Sequence, residues 1–215
     1  MTSPGRLVVL EGIDGCGSTT QAELLVSALR QRGVDARPTC EPSRGPVGAL
    51  IRDILQHRVP GEAPGTRRVF GWQAMGLLFA ADRLDHVDSE IGPALRAGVT
   101  VVSDRYDLSS IAYQSATSNT EPTAVDWVRE LNRYARRPDL TVVLDVPVNV
   151  AEARRQTRGS EAELFEKREL QQRLVELYSH AERLVPGDRL VHVDGTLATN
   201  EVLEQILANV LPVLG

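Results

Sequence analysis

Lysine is almost missing from this chain. Lys167 is the only lysine among 24 basic residues, so phosphate, carboxylate and solvent are met with arginine. Cysteine is scarce as well. Cys16 and Cys40 are too few for a disulfide framework and are not spaced for zinc, which leaves two small reduced residues beside loops. No run approaches the roughly 18 consecutive apolar residues of a membrane-spanning helix, so no membrane partner is expected. The N-terminal MTSPGRLVVLEG enters a strand pattern almost at once and lacks the basic and apolar regions of a signal peptide, which makes the cytoplasm the expected location. Nor is positive charge in excess. A net charge of −5 and a pI near 5.5 argue against a general nucleic-acid binder, and leave room for a local basic pocket around a small phosphorylated ligand.

What is present is the alternation of an α/β protein with a parallel sheet. Leu7 to Glu11 reads as the first strand, and Thr19 to Arg32 as a helix carrying Ala22, Leu25, Ala28 and Leu29 at helical spacing, stopped by Gly33. Residues 35–40 (DARPTC) make a weaker strand in which Pro38 points to a sheet edge, and a helix follows near 46–57. The segment 66–97 reads as mostly helical with a bend near Gly76, and Gly98 ends it before the strand VTVVSD. Helices are expected near 107–116 and 122–135, a strand at 140–146, a helix from about Asn149, another over 163–184, a fifth strand at RLVHVD and a closing amphipathic helix over 198–213. With 42% hydrophobic residues and no repeat or linker, residues 1–215 are expected to form one doubly wound α/β domain.

Between the first strand and its helix stands EGIDGCGSTTQ, residues 11–21. Strand, glycine loop and helix are the context of a phosphate-binding P-loop, whose N–H groups and helix N-terminus make a nest for phosphate oxygens. Gly12, Gly15, Cys16, Gly17, Ser18, Thr19 and Thr20 form the expected cradle, with Thr19 in the hydroxyl position that holds Mg²⁺. A dinucleotide-binding loop competes poorly, because the third glycine of its pattern is missing, and an ordinary glycine turn is the plainest alternative. Ser18 stands where the phosphate-gripping lysine belongs. The arginine bias of the chain would explain arginine there; it does not explain serine. A second signal is SDRY at 103–106, at the end of a strand. Carboxylates at such strand ends face the ligand crevice, which puts Asp104 in position to order Mg²⁺ and Arg105 to grip phosphate; taken without that context the pair would read as a surface ion pair.

The block LLFAADRLDHVDSEIGPALRAGVTVVSDRYDLSSIAYQ, residues 77–114, resembles the central segment of thymidylate kinases. So do GIDGCGSTTQ, EPSRGPVGALIRDIL at 41–55 and PDLTVVLDVP at 138–147, and the resemblance runs over roughly the whole chain. It implies a P-loop kinase fold with five parallel strands flanked by helices, a mobile lid at about 154–168, and a homodimer. The implied reaction is transfer of the ATP γ-phosphoryl group to dTMP, with Mg²⁺ as cofactor. Carried onto matching positions, it implies that Phe79 stacks on thymine, Arg83 bonds its edge, Gln114 and Ser110 lie at the base, and Tyr113 lies against the sugar. Asp14 would meet the 3′-hydroxyl, with Glu41 and Arg44 also on the acceptor side. An aromatic and an arginine four residues apart share one helix face and suit a planar base on their own account. Singly, Phe79 reads equally as core packing, Arg83 as a solvated charge, Ser110 as a polar helix face and Tyr113 as a half-buried aromatic.

Three positions depart from the family pattern. Ser18 replaces lysine, Cys40 stands in TCEP where many bacterial members have arginine, and Leu164 in ELFE (163–166) replaces another arginine of the lid. Candidate substitutes are Arg44 in the same turn, Arg154, Arg155 and Arg158 leading into the lid, and Lys167 and Arg168 after it. Arg158 is the first expectation, with Arg154 beside the ATP phosphates, and a lid arginine would supply transition-state charge. Beside the working kinase stand two other readings, a nucleotide-binding relative with weak or no kinase activity and a kinase for a different small acceptor.

Overall fold

Leu7–Glu11, with all five residues buried, is the central strand β1. In the computed structural model, which describes residues 4–63, 65–118, 123–158 and 168–215 (backbone alone for Arg158), it pairs in parallel with β3 (Thr100–Asp104) and β4 (Leu140–Asp145). The outer strands are β2 (Ala36–Cys40) beside β3 and β5 (Leu190–Asp194) beside β4, giving the order β2-β3-β1-β4-β5. This is the expected five-stranded parallel sheet. Pro38 sits in an edge strand, where a missing N–H costs no ladder bond. A parallel sheet has both faces covered, which is why β1 reads LVVLE without polar alternation. Val8 and Leu10 enter one apolar cluster with Leu25, Leu29, Val142 and Ile206, while Leu7 and Val9 enter another with Ile91, Leu95 and Val101.

Register aligns the chemistry. Leu10 and Cys40 both pair with Asp104, so the loops after β1, β2 and β3 leave the sheet at one edge. From β1 the chain crosses to β2 and returns to β3 on one side, then passes to β4 and β5 on the other, and such a switch point opens a crevice at the carboxyl ends of the strands.

The helices are α1 (Ser18–Gln31), α2 (Pro46–Leu55), α3 (Trp72–His86), α4 (Gly92–Arg96), α5 (Asp107–Thr117), α6 (Thr123–Leu131), α7 (Val148–Arg158), α8 (Arg168–Tyr178), α9 (Ala181–Leu184) and α10 (Thr199–Leu214). Two sequence expectations change. No break falls at Gly76: α3 continues through it, and the glycine serves packing, since a Cβ there would lie 3.1 Å from Trp127 Cζ3. The irregularity falls instead at Val87–Ile91, a turn of wider π-helical winding in which the Gly92 N–H reaches the Val87 carbonyl, just before Pro93 with its missing N–H. The second change is in the expected helix over 163–184. Within the described residues it is broken into α8 and α9, and at the break Ser179 Oγ donates to the Glu176 carbonyl at 2.8 Å, a side-chain bond that competes with the helical ladder. Most of the expected lid, with Glu163 to Lys167, lies outside the described residues.

Candidate active site

The loop after β1 can approach a ligand closely because it carries no side chains where it turns. Gly12 and Gly15 hold φ at 150° and 90°, and a Cβ on Gly15 would lie 2.5 Å from the Ala151 carbonyl. Gly17 caps α1, whose first turn holds no acidic residue, so the positive end of the helix faces outward uncompensated. Cys16 departs from the expectation. Its side chain is buried, its N–H is used on the Ile13 carbonyl, and burial pushes the thiol up, so it supports the loop from beneath rather than facing a ligand. Ser18 is buried too, leaving Thr19 and Thr20 exposed at the mouth.

Thr19 Oγ1 donates to Asp104 Oδ2 at 2.5 Å, and Asp104 Oδ1 is buried with no partner among the described residues. A hydroxyl touching a carboxylate that has an unused buried oxygen is an oxygen donor set suited to a hard cation such as Mg²⁺. Next along the chain, Arg105 turns back across the loop. Its Nη1 donates to the Gly12 carbonyl at 2.8 Å and its Nη2 to Asp14 Oδ1 at 2.7 Å, while Gln171 Nε2 of α8 donates to Asp14 Oδ2 at 3.0 Å. The guanidinium lies over the Tyr113 ring at 5.3 Å, and Tyr113 is held neutral by burial, with its hydroxyl bonded at Asp14.

Beside this loop opens a cleft into which Phe79, Arg83, Ser110 and Gln114 face together with Asp14 and Glu41. Arg83 is buried. Its Nη1 donates to Asn132 Oδ1 at 2.5 Å, its Nη2 donates to Ser110 Oγ at 3.0 Å and lies 2.6 Å from Glu41 Oε2, and its Nε has no partner among the described residues. Burial works against this charge, but Glu41 and then Asp107 outweigh it and hold the guanidinium above the ordinary arginine range. The expectation of a solvated arginine is therefore excluded. Gln114 is wholly buried with both ends of its amide unpartnered among the described residues. A buried amide left open costs about 1–3 kcal/mol, and from the cleft wall both of its ends can pair with a bound molecule.

The turn after β2 is held by Ser43, Asp82 and Arg52, which no sequence motif marks. Ser43 donates through N and Oγ to buried Asp82 at 2.7 and 2.5 Å, and Arg52 Nη1 donates to the Pro42 and Ser43 carbonyls at 2.9 and 2.5 Å. Arg44 lies exposed in that turn and does not line the cleft. From α7, Arg154 Nη1 donates to the Cys16 carbonyl at 3.1 Å and Nη2 to the Gly195 carbonyl at 2.9 Å, while Arg155 Nη1 donates to the Asp14 carbonyl. Two cations of α7 thus stand on the glycine loop. The Arg158 side chain lies outside the described residues. Glu11, Asn132, His86 and Gln171 support the site without having been singled out in the sequence, because each reads there as an isolated polar residue in a strand or helix.

The family model for thymidylate kinase matches residues 10–206 of the chain. Three proteins each described as "Probable thymidylate kinase" are similar over nearly their whole length. The one from Thermococcus kodakarensis is 38% identical over 209 residues, covering 97% of this chain and 98% of its own. The one from Pyrococcus abyssi is 39% identical over 205 residues, 95% of both chains, and one from Methanococcus maripaludis is 38% identical over 208 residues, 94% of this chain and 93% of its own. With glycine loop, Asp104, Arg105 and the cleft beside them on one sheet edge, the chain belongs to the thymidylate kinase family, a family of ATP-dependent nucleoside monophosphate kinases.

Proposed function

We propose that this chain transfers the γ-phosphoryl group of ATP to dTMP, with the cleft holding the acceptor and the glycine loop the donor. The observation that carries the acceptor assignment is the buried Gln114 amide and the Arg83 Nε in the same cleft wall, both without a partner among the described residues. A pyrimidine whose ring edge offers both a donor and acceptors completes these groups, and Phe79 supplies the apolar face on which a planar base stacks. Ser110 fixes Arg83, and Tyr113 stands between base and loop, where the sugar would lie. Asp14, held by Arg105 and Gln171, would meet the 3′-hydroxyl.

The reaction needs positioning and charge rather than a covalent intermediate. The α1 N-terminus with Gly12, Gly15 and Gly17 cradles donor phosphates, and Arg105 lies between loop and cleft, where it draws the two phosphates into line. Thr19 and Asp104 would hold Mg²⁺, which when bound neutralises β- and γ-phosphate charge. Arg154 and Arg155 supply the positive charge that Ser18 does not. This reading moves the substitute cation from Arg158 to the first turns of the proposed lid at about 154–168. Leu77, Ala81 and Leu84 recur along an exposed face of α3 and support a homodimer.

The test is an ADP-release assay with ATP, Mg²⁺ and a panel of nucleoside monophosphates. Turnover with dTMP well above every other acceptor is expected; dTMP turnover no higher than the acceptor-free background would overturn the assignment.

A further inference from the structure

Arg105 holds φ at 71°, one of two non-glycine residues in the left-handed region among those described. A residue with a Cβ stays in that conformation only where its surroundings over-determine it, and such residues concentrate at functional sites. Here the determinants are explicit. The Arg105 N–H donates to the Leu10 carbonyl at 2.9 Å, and its own carbonyl accepts from Ser103 Oγ at 2.7 Å. The turn that follows is bound to a single carboxylate, Glu11 at the end of β1, which is fully buried. Glu11 Oε1 accepts two main-chain N–H groups, from Tyr106 at 2.9 Å and Ser109 at 3.1 Å. Glu11 Oε2 accepts two hydroxyls, from Ser109 at 2.5 Å and Tyr178 at 3.0 Å. Ser109 Oγ in turn accepts from Arg105 Nη1 at 3.0 Å.

We propose that Glu11 is a positioning residue for phosphoryl transfer, clamping the Tyr106–Ser109 turn and, through the Ser109 hydroxyl, aiming the Arg105 guanidinium at the phosphates. The proposal rests on the reading of Arg105 as a phosphate ligand. A carboxylate is the group suited to this place, because it accepts four hydrogen bonds at once and returns none. Its division of labour is also informative. The main-chain donors on Oε1 cannot reverse, whereas both hydroxyls on Oε2 can, so a proton on Oε2 leaves the turn bound but removes the charge behind Arg105. The titratable and charged groups around Glu11 are Arg105 from the turn after β3, Tyr178 from α8 and, beyond Arg105, Asp14 of the loop and Tyr113 of α5. Burial pushes the Glu11 carboxyl up to about 7 against the pull of Arg105 and of the Ser109 and Tyr106 hydrogen bonds, so the charged and uncharged clamp are both reached in ordinary buffers.

Glu11→Gln mimics the protonated clamp and keeps the fold. At pH 8 its kcat with dTMP and ATP is expected to fall about tenfold, with both KM values within about threefold of wild type, and the ratio of wild type to variant is expected to close below pH 7. Ser109→Ala should show the same kcat loss. A loss of equal size at every pH, or a variant kcat within about twofold of wild type at pH 8, overturns the proposal. A crystal structure of Glu11→Gln provides the arm independent of turnover. Arg105 displaced from its contacts with Gly12 and Asp14 supports the clamp, and Arg105 unmoved overturns it. Wild-type protein inactive with dTMP would instead count against the acceptor assignment, and the crystal structure would still decide Glu11.

Discussion

Arg83 Nη2 lies 2.6 Å from Glu41 Oε2, with both side chains buried in the cleft wall. The pair joins the turn after β2 to α3, and His86 Nδ1 backs Glu41 Oε1 at 3.3 Å while its Nε2 meets Thr39 Oγ1 at 2.8 Å. Removing one partner of a buried pair leaves the other charge without compensation, at a cost of about 3 kcal/mol. For a chain of this size each kcal/mol shifts Tm by about 2–4 °C. Glu41→Gln should therefore melt roughly 6–12 °C lower and bind dTMP more weakly, because Arg83 loses the anchor that sets its orientation. Differential scanning fluorimetry with and without dTMP checks both. A Tm within about 2 °C of wild type would show the pair to be dispensable.

The fold was legible because burial writes itself into sequence. Strands covered on both faces read as unbroken apolar runs, and LVVLE, VTVVSD and LTVVLD all became strands at or within a residue of the expected positions. The glycine loop was legible for a different reason, since its positive φ values favour glycine. What stayed hidden were pairings between distant residues. Asn132 is 49 residues from the Arg83 it holds, and Gln171 is 157 from Asp14. No local pattern announces such a bond. Cys16 misled for a related reason: a motif fixes where a backbone goes, but the face each side chain takes depends on what packs beneath.

Arg154 bridges the Cys16 and Gly195 carbonyls and so stands where a cation is wanted beside the loop that carries Ser18. One well-placed arginine contributes about 10³–10⁵ in rate in related phosphoryl transfers. Arg154→Ala should lower kcat by about 10³, equivalent to roughly 4 kcal/mol of transition-state stabilisation. Ser18→Lys should add little to wild type and restore much of the rate in the Arg154→Ala background. Steady-state kinetics on the four proteins tests this. A large gain from Ser18→Lys alone would mean that nothing replaces the lysine.

Gln114 offers a prediction of opposite sign for stability and for binding. Its buried amide is unpartnered among the described residues, which costs the ligand-free protein about 1–3 kcal/mol. Gln114→Leu keeps the shape and removes the unpaired groups, so the free protein should become more stable. The same change removes the hydrogen bonds that a pyrimidine would complete, and KM for dTMP should rise at least tenfold. Urea denaturation and kinetics together decide the matter. A variant both less stable and unchanged in KM would place the amide in structural service only.

Glu11 links stability to pH in a direction unusual for a carboxylate. Burial raises it from 4.5 to about 7, although Arg105 and the hydrogen bonds from Ser109 and Tyr106 favour its ionised form. The folded state therefore holds a proton more tightly than the unfolded chain does. The stabilisation from that proton is fully present below about 4.5 and is lost as pH rises through about 7. A shift of this size corresponds to about 3 kcal/mol across the window, since one unit is worth about 1.4 kcal/mol. Glu11→Gln cannot titrate, so wild type should lose stability relative to the variant between pH 5 and pH 8 by an amount of that order. Urea unfolding of both proteins at several pH values measures the difference directly. Parallel curves for the two proteins over that range would mean that Glu11 titrates as an ordinary carboxylate, and that the hydrogen bonds from Tyr106, Ser109 and Tyr178 offset its burial in full.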